Sequence, residues 1–281
     1  MATHPFRIVN VFTEDQGAFT GNPLCVFESG EGMSCECMQA LARQFNLSET
    51  TFILRSSRAD ARVRIFTPGY EMAFAGHPTL GTAHVCRALN LGRDSLVLEM
   101  QAGLVPVNAR GNRWTLTALG ATSRELEVSR GELAAALSLE ESDIGDKPLW
   151  VKAGKEQLVV PLKSVDAVRR AAPVPQRLHT IRSEEGQSTA YVFCLSEANR
   201  AVARFFFPQG GAMLEDPATG SATANFGGWC LAMKRALPVN LQISQGEFVA
   251  RPSRLFLEVN RERQIFVGGD VNEIGRGSVT L

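Results

Sequence analysis

Glu49 is an acidic side chain well placed to do proton-transfer chemistry. It follows Asn46-Leu47-Ser48 and opens the run Thr50-Thr51-Phe52-Ile53-Leu54, which reads as a buried strand. A carboxyl group beside such a run is desolvated, which disfavours its charged form and lifts its pKa toward neutrality. A base of that kind can take a proton from a carbon acid and, as the conjugate acid, give it back. Its own residues leave a second reading open, that of a surface or helix-capping glutamate. Two more stretches carry chemistry: Gly76-His77-Pro78 and Thr219-Gly220-Ser221 each stand before a helix. The first backbone N–H groups of a helix lack partners and carry the positive end of its dipole, so such ends bind carboxylates. His77 can hydrogen-bond a substrate or assist a proton relay. Asp216 can hold an amine or hydroxyl and so orient the reacting carbon. A His-Pro or Asp-Pro pair is also an ordinary turn, and Ser221 an ordinary cap.

The elements that must position these groups follow from periodicity. The opening reads as a strand over 6–12, a Gly-rich turn around 17–22 and a second strand over 24–27. Met38, Leu41, Ala42 and Phe45 recur at helical spacing behind Ser34 as N-cap. That helix stops near Asn46, a residue that tolerates the left-handed conformation. Strands over 50–54 and 62–66 follow, then a turn through 71–78 into an apolar helix over 79–89. Strands over 96–99, 104–107 and 114–116 lead to a polar connector, 120–127, where the chain is expected to divide. Helices over 130–137 and 165–170 and strands over 158–162, 191–195 and 204–208 come after it.

An internal repeat runs across that division. Arg64-Ile65-Phe66-Thr67-Pro68 aligns with Arg204-Phe205-Phe206-Phe207-Pro208 at an offset of 204 − 64 = 140. With one gap, His77-Pro78-Thr79-Leu80-Gly81-Thr82-Ala83 falls on Asp216-Pro217-Ala218-Thr219-Gly220-Ser221-Ala222, at an offset of 216 − 77 = 139. Agreement through strand, turn and helix start predicts a duplicated unit. If the halves face each other, both helix starts point into one cleft and anchor a carboxylated substrate.

Composition narrows the function classes. A chain of 281 residues suits two domains of ordinary size, and 44% hydrophobic with 21% charged residues is ordinary for a globular protein. Lys plus Arg equal Asp plus Glu at 29 each, and no window mixes basic residues with aromatics, so no nucleic acid partner is expected. Apolar stretches such as Leu158 to Leu162 are too short to span a bilayer, and residues 1–7 lack a hydrophobic signal core. The expectation is therefore a cytoplasmic protein with no membrane partner. The six cysteines are scattered and read as reduced, mostly core thiols; Cys35-Glu36-Cys37 lacks the further ligands that a metal site needs. Neither glycine-rich phosphate loop, G-x-G-x-x-G after a strand or G-x-x-x-x-G-K-S/T, is present, and no cofactor is expected.

In combination, the motifs resemble the PhzF-like proteins of phenazine biosynthesis, which belong to the diaminopimelate epimerase fold. The matching stretches are Thr20-Gly21-Asn22-Pro23, Asn46-Leu47-Ser48-Glu49-Thr50, Phe74-Ala75-Gly76-His77-Pro78-Thr79-Leu80-Gly81 and Glu215-Asp216-Pro217-Ala218-Thr219-Gly220-Ser221-Ala222. The tail from Val267-Gly268-Gly269 to Leu281 looks like the family's closing strands. The resemblance implies an α+β fold of two pseudo-symmetric domains, each a curved sheet wrapped around a central helix, with the active site in the cleft between them. It suggests residues 1–122 as one domain, to which 266–281 return, and 123–265 as the other, in a homodimer. It assigns proton transfer to Glu49 and substrate contacts to His77, Asp216 and Ser221, with Gly76, Thr219 and Gly220 as neighbouring helix-start positions. Racemases and epimerases of this fold use a cysteine from each half. Here Ala75 and the Asp216-Pro217 region stand at those positions, which speaks against a two-thiol mechanism. The implied function is a cofactor-independent isomerase of a small carboxylated metabolite. The alternatives are an amino-acid or hydroxy-acid epimerase or racemase with a second base, and a metabolite-binding protein without turnover.

Overall fold

The computed structural model describes residues 1–15, 17–118 and 120–281. Contacts divide the chain into two compact units, Met1–Thr117 with Gly268–Leu281, and Ala118–Val267. The first unit opens with β1 (Thr3–Val11), antiparallel to β2 (Asn22–Phe27). Helix α1 (Cys35–Phe45) follows, capped where Ser34 accepts from the Cys37 N–H and closed by Asn46 at φ 52°. Its face of Met38, Leu41 and Ala42 packs on Cys25, Phe27, Phe52 and Phe66. That packing fixes β3 (Glu49–Leu54), parallel to β2, and β4 (Ala61–Phe66), antiparallel to β3.

After the short β5 (Glu71–Met72), helix α2 (Gly76–Ala88) crosses to β6 (Ser95–Met100), which lies parallel to β4. The antiparallel strands β7 (Gly103–Arg110) and β8 (Arg113–Thr117) come next. The C-terminal strand, Ile265–Thr280, pairs with both β8 and β1. Eight strands thereby close into a barrel, which leaves no edge along the ring. Helix α2 packs against strands on several sides, so its buried residues run from His77 through Ala83 without a break. A Cβ on Gly81 would stand 2.6 Å from Leu24 Cδ2 and 2.9 Å from Val11 Cγ2, so the helix passes the barrel wall where only glycine fits.

The second unit contains β9 (Thr122–Glu125), which pairs antiparallel with β10 (Leu149–Lys152). The stretch expected to be a connector is thus part of the sheet. Its residues, Thr-Ser-Arg-Glu, are too polar and too exposed to show an alternating pattern. Helix α3 (Arg130–Ala136) is started by a capping box between Ser129 and Glu132. Strand β11 (Glu156–Pro161) lies antiparallel to β10; α4 (Val165–Arg170) and α5 (Pro175–Leu178) lead to β12 (Ala190–Glu197), parallel to β11. Then come β13 (Arg200–Gln209), β14 (Ala212–Asp216), α6 (Gly220–Ala232), β15 (Val239–Gln245) and β16 (Ser253–Val259). Among the described residues no helix is long and apolar enough to cross a membrane.

The two units share one pairing scheme. In each, a hairpin is followed by a parallel strand, an antiparallel strand with a short return, a buried helix of 13 residues, and a strand parallel to the one before the return. The anchors coincide. Arg64 grips Glu71 at 2.7 Å and lies 5.0 Å from the Phe66 ring centroid; Arg204 grips Glu215 at 2.7 Å and lies 4.8 Å from that of Phe206. The helix starts do not follow the alignment read from sequence. Phe66 pairs with Glu71 but Phe206 with Glu215, so the second hairpin is four residues longer, and Gly76 corresponds to Gly220. His77 is therefore the counterpart of Ser221, and Asp216 ends a strand instead of starting a helix. Helix α2 also begins at Gly76, three residues before the expected Thr79, because Pro78 is tolerated in a first turn whose N–H groups have no helical partner. Replacing Gly81 with valine should overpack the barrel interior and lower stability by about 1–3 kcal/mol, seen as a fall in the urea unfolding midpoint.

Candidate active site

In the first unit the site is built where β3 and α2 both begin. The left-handed Asn46 ends α1 and lets the chain enter β3 at Glu49, opposite Leu24 of β2. Thr50, Thr51 and Phe52 behind it are fully buried. A 2.8 Å hydrogen bond between the Thr51 and Thr82 hydroxyls ties that strand to α2. This brings His77 to Glu49: Nε2 stands 3.3 Å from Oε2, with side-chain exposures of 8% and 15%. The two atoms face each other with no hydrogen bond between them. His77 also hydrogen-bonds the Pro23 backbone. Proline offers only a carbonyl, and Nε2 is not the donor, so Nδ1–H donates and Nε2 presents its lone pair to Glu49. Burial holds this imidazole well below its ordinary pKa, in the neutral form. Ala75 places no side-chain cap on α2, so the Gly76 and His77 amides keep the character of a bare helix start.

In the second unit Asp216, Thr219, Gly220 and Ser221 gather at the start of α6. Asp216 closes β14, and the Thr219 hydroxyl, which makes no capping bond, donates to Asp216 Oδ2 at 2.5 Å. Gln245, on β15, braces this turn from beneath: its Nε2 donates to the Asp216 carbonyl at 2.8 Å and to Thr219 Oγ1 at 3.0 Å, and its Oε1 accepts from the Thr219 N–H at 3.3 Å. Ser221 accepts from Gln157 Nε2 at 3.1 Å. The structure thus collects the seven residues singled out in the sequence into two groups: Glu49 with Gly76 and His77, and Asp216 with Thr219, Gly220 and Ser221.

Sequence reasoning missed Pro23 as a holder of His77, and it missed Gln157, Asn225 and Gln245. Asn225 alone left a usable signal, a fully buried amide inside the small and apolar run of α6. The thiols take no part in either group. Cys25, Cys86, Cys194 and Cys230 are buried, and burial pushes Cys86 and Cys230 up to about 12, which keeps them protonated and unreactive. Among the described residues no three His, Cys, Asp or Glu side chains gather as metal ligands.

Residues 9–271 match the family described as phenazine biosynthesis-like protein. An uncharacterized isomerase of Pasteurella multocida is 39% identical, over 99% of this chain and 95% of its own. The trans-2,3-dihydro-3-hydroxyanthranilate isomerase of Pseudomonas aeruginosa is 35% identical, over 90% of this chain and 89% of its own. Among solved structures, a PhzF-family phenazine biosynthesis protein of Bacillus anthracis superposes with a TM-score of 0.88 at 26% identity, covering 100% of both chains. The fold is the α+β, diaminopimelate epimerase-like one that the motifs implied.

Helix α2 carries a second suppressed imidazole, His84, which burial and the neighbouring Arg87 push down to about 4. The unfolded chain protonates such groups near 6.5, whereas the folded chain refuses the proton until far lower pH. The unfolded state therefore binds more protons in between, and stability falls as pH drops from about 6.5 toward 4. The urea midpoint should decline over that window, above the range where carboxylates titrate. Substituting both His77 and His84 by glutamine should flatten the decline, and an unaltered slope would refute this account.

Proposed function

The chain belongs to the phenazine biosynthesis-like family and is an isomerase, and we propose that it works without a cofactor on a small carboxylated metabolite, using Glu49 as its single acid–base group. The observation that carries this reading is the contact of Glu49 Oε2 with Nε2 of the buried, neutral His77. Two facing lone pairs repel, and one proton between them turns the contact into a hydrogen bond. The pair is thus a one-proton reservoir beside the bare amides of α2. As a carboxylate, Glu49 takes an acidic C–H proton; the electrons of that bond enter the conjugated system and the double bond moves. As the carboxylic acid, it returns the proton to another carbon of the same system. Atoms and electrons balance within the substrate, and no redox partner is needed. The substrate named for the Pseudomonas relative carries a carboxylate, and the class is what we extend to this chain. Helix-start amides suit that group, and Asp216, Thr219 and Ser221 are proposed as further substrate contacts.

The duplication supports a single base over the two-base epimerase. Phe66 pairs with Thr50 and its counterpart Phe206 with Ala190, so the position matching Glu49 is Thr189, which has no titratable group. The position matching His77 is Ser221. Neither member of the Glu49–His77 pair therefore recurs in the second unit.

Carboxylated metabolites incubated with the protein in deuterium oxide should yield one that takes up label in a protein-dependent way, detected by mass spectrometry. Glu49→Gln should reduce that uptake by about 10²–10⁴-fold with an unchanged melting temperature. Cys86→Ala and Cys230→Ala should keep wild-type uptake. Full uptake by the Glu49→Gln variant would remove the mechanism.

A further inference from the structure

The second unit encloses a chain of hydrogen bonds whose direction can be read without placing a single hydrogen by assumption. It begins at the Ala153 N–H, which donates to Asn225 Oδ1 at 2.7 Å. A backbone N–H can only donate, so the amide of Asn225 is fixed with Nδ2 on its other side. Nδ2 donates to the Lys155 carbonyl at 2.9 Å and to Gln157 Oε1 at 2.8 Å. That in turn fixes Gln157 with Nε2 toward Ser221 Oγ, at 3.1 Å. A hydroxyl oxygen that accepts on this side has its own O–H aimed elsewhere.

We propose that Gln157 and Asn225 are positioning residues that set the direction of the Ser221 hydroxyl, so that Ser221 meets the substrate as a hydrogen-bond donor. This rests on the reading that the α6 start touches substrate. Gln157 is 3% exposed and Asn225 fully buried, and an amide in such a place is costly unless its bonds are made. The first unit manages without them. Val9 of β1 faces Leu24 where Val151 of β10 faces Gln157, so the corresponding inner position there is plain leucine. The amides are thus a feature of the unit whose helix start carries a hydroxyl in place of the imidazole. Thr219 cannot serve in the same way, because its O–H is committed to Asp216. Of the two hydroxyls at this helix start, Ser221 is the one whose proton is left to a ligand.

The test measures deuterium uptake with trans-2,3-dihydro-3-hydroxyanthranilate as probe, in wild type, Ser221→Ala, Gln157→Met and the double variant. Ser221→Ala should raise KM about tenfold, the order expected for one hydrogen bond to a charged group. Gln157→Met should raise KM several-fold, about as much as one neutral hydrogen bond, and the double variant should be no worse than Ser221→Ala. A Gln157→Glu variant adds a readout that a purely structural role would not move. Protonated, the new group still donates to Ser221; ionised, it only accepts and draws the Ser221 proton to itself. KM should therefore climb with pH in Gln157→Glu and lose most of that climb when Ser221 is alanine as well. Additive losses in the double variant, or a pH-dependence that survives Ser221→Ala, would overturn the proposal. So would an unchanged KM in Ser221→Ala while Glu49→Gln is dead, an outcome that leaves the isomerase mechanism standing. Active Glu49→Gln would instead count against the mechanism alone.

Discussion

The hydrogen bond from His77 to the Pro23 carbonyl decides the character of the group around Glu49. It uses up the one N–H that a neutral imidazole owns, and it aims the remaining lone pair at the Glu49 carboxyl. Everything around it serves to keep that geometry. The closed barrel holds β2, where Pro23 sits, against β3, where Glu49 sits, in a parallel register. Helix α2 is fixed along the barrel interior by the Thr51–Thr82 bond and by close packing at Gly81, so its second residue has little room to move. Burial denies the ring a second proton and keeps it neutral beside the carboxyl.

Duplication followed by divergence accounts for the difference in chemistry between two units of one pairing scheme. The outer devices are retained in both units: an arginine lies over a phenylalanine and grips a glutamate on the return strand. The inner positions have separated. Where one unit has Glu49, His77 and Leu24, the other has Thr189, Ser221 and Gln157. One set pairs a carboxyl with a neutral imidazole; the other is an array of donors and acceptors braced by Gln157 and Gln245.

How far the sequence could be read follows the same physics. Helix α1 was legible because one face is buried and the other wet, with Ser34 and Asn46 marking its ends. The α2 and α6 boundaries were not, because burial on all sides erases the helical stripe and leaves only Gly, Pro and Ser to mark a start. Matching His77 to Asp216 was natural in a string of letters, since both precede proline. The four extra residues in the β13–β14 return, invisible without pairing, shift the true correspondence to Ser221. Strand β9 escaped notice for want of apolar alternation. Glu49 was found through its motif and the strand behind it, whereas Gln157, Asn225 and Gln245 acquire meaning only through partners distant in the chain.

The closing strand of the barrel comes from residues late in the sequence, paired to β1 and β8. During synthesis the ribosome releases more than a hundred intervening residues before that strand emerges. The later-encoded unit can therefore finish while the earlier one still waits with an open seam, its β1 edge exposed to water and to other nascent polypeptides. Chaperone dependence in the cell would then concentrate on the portion translated first.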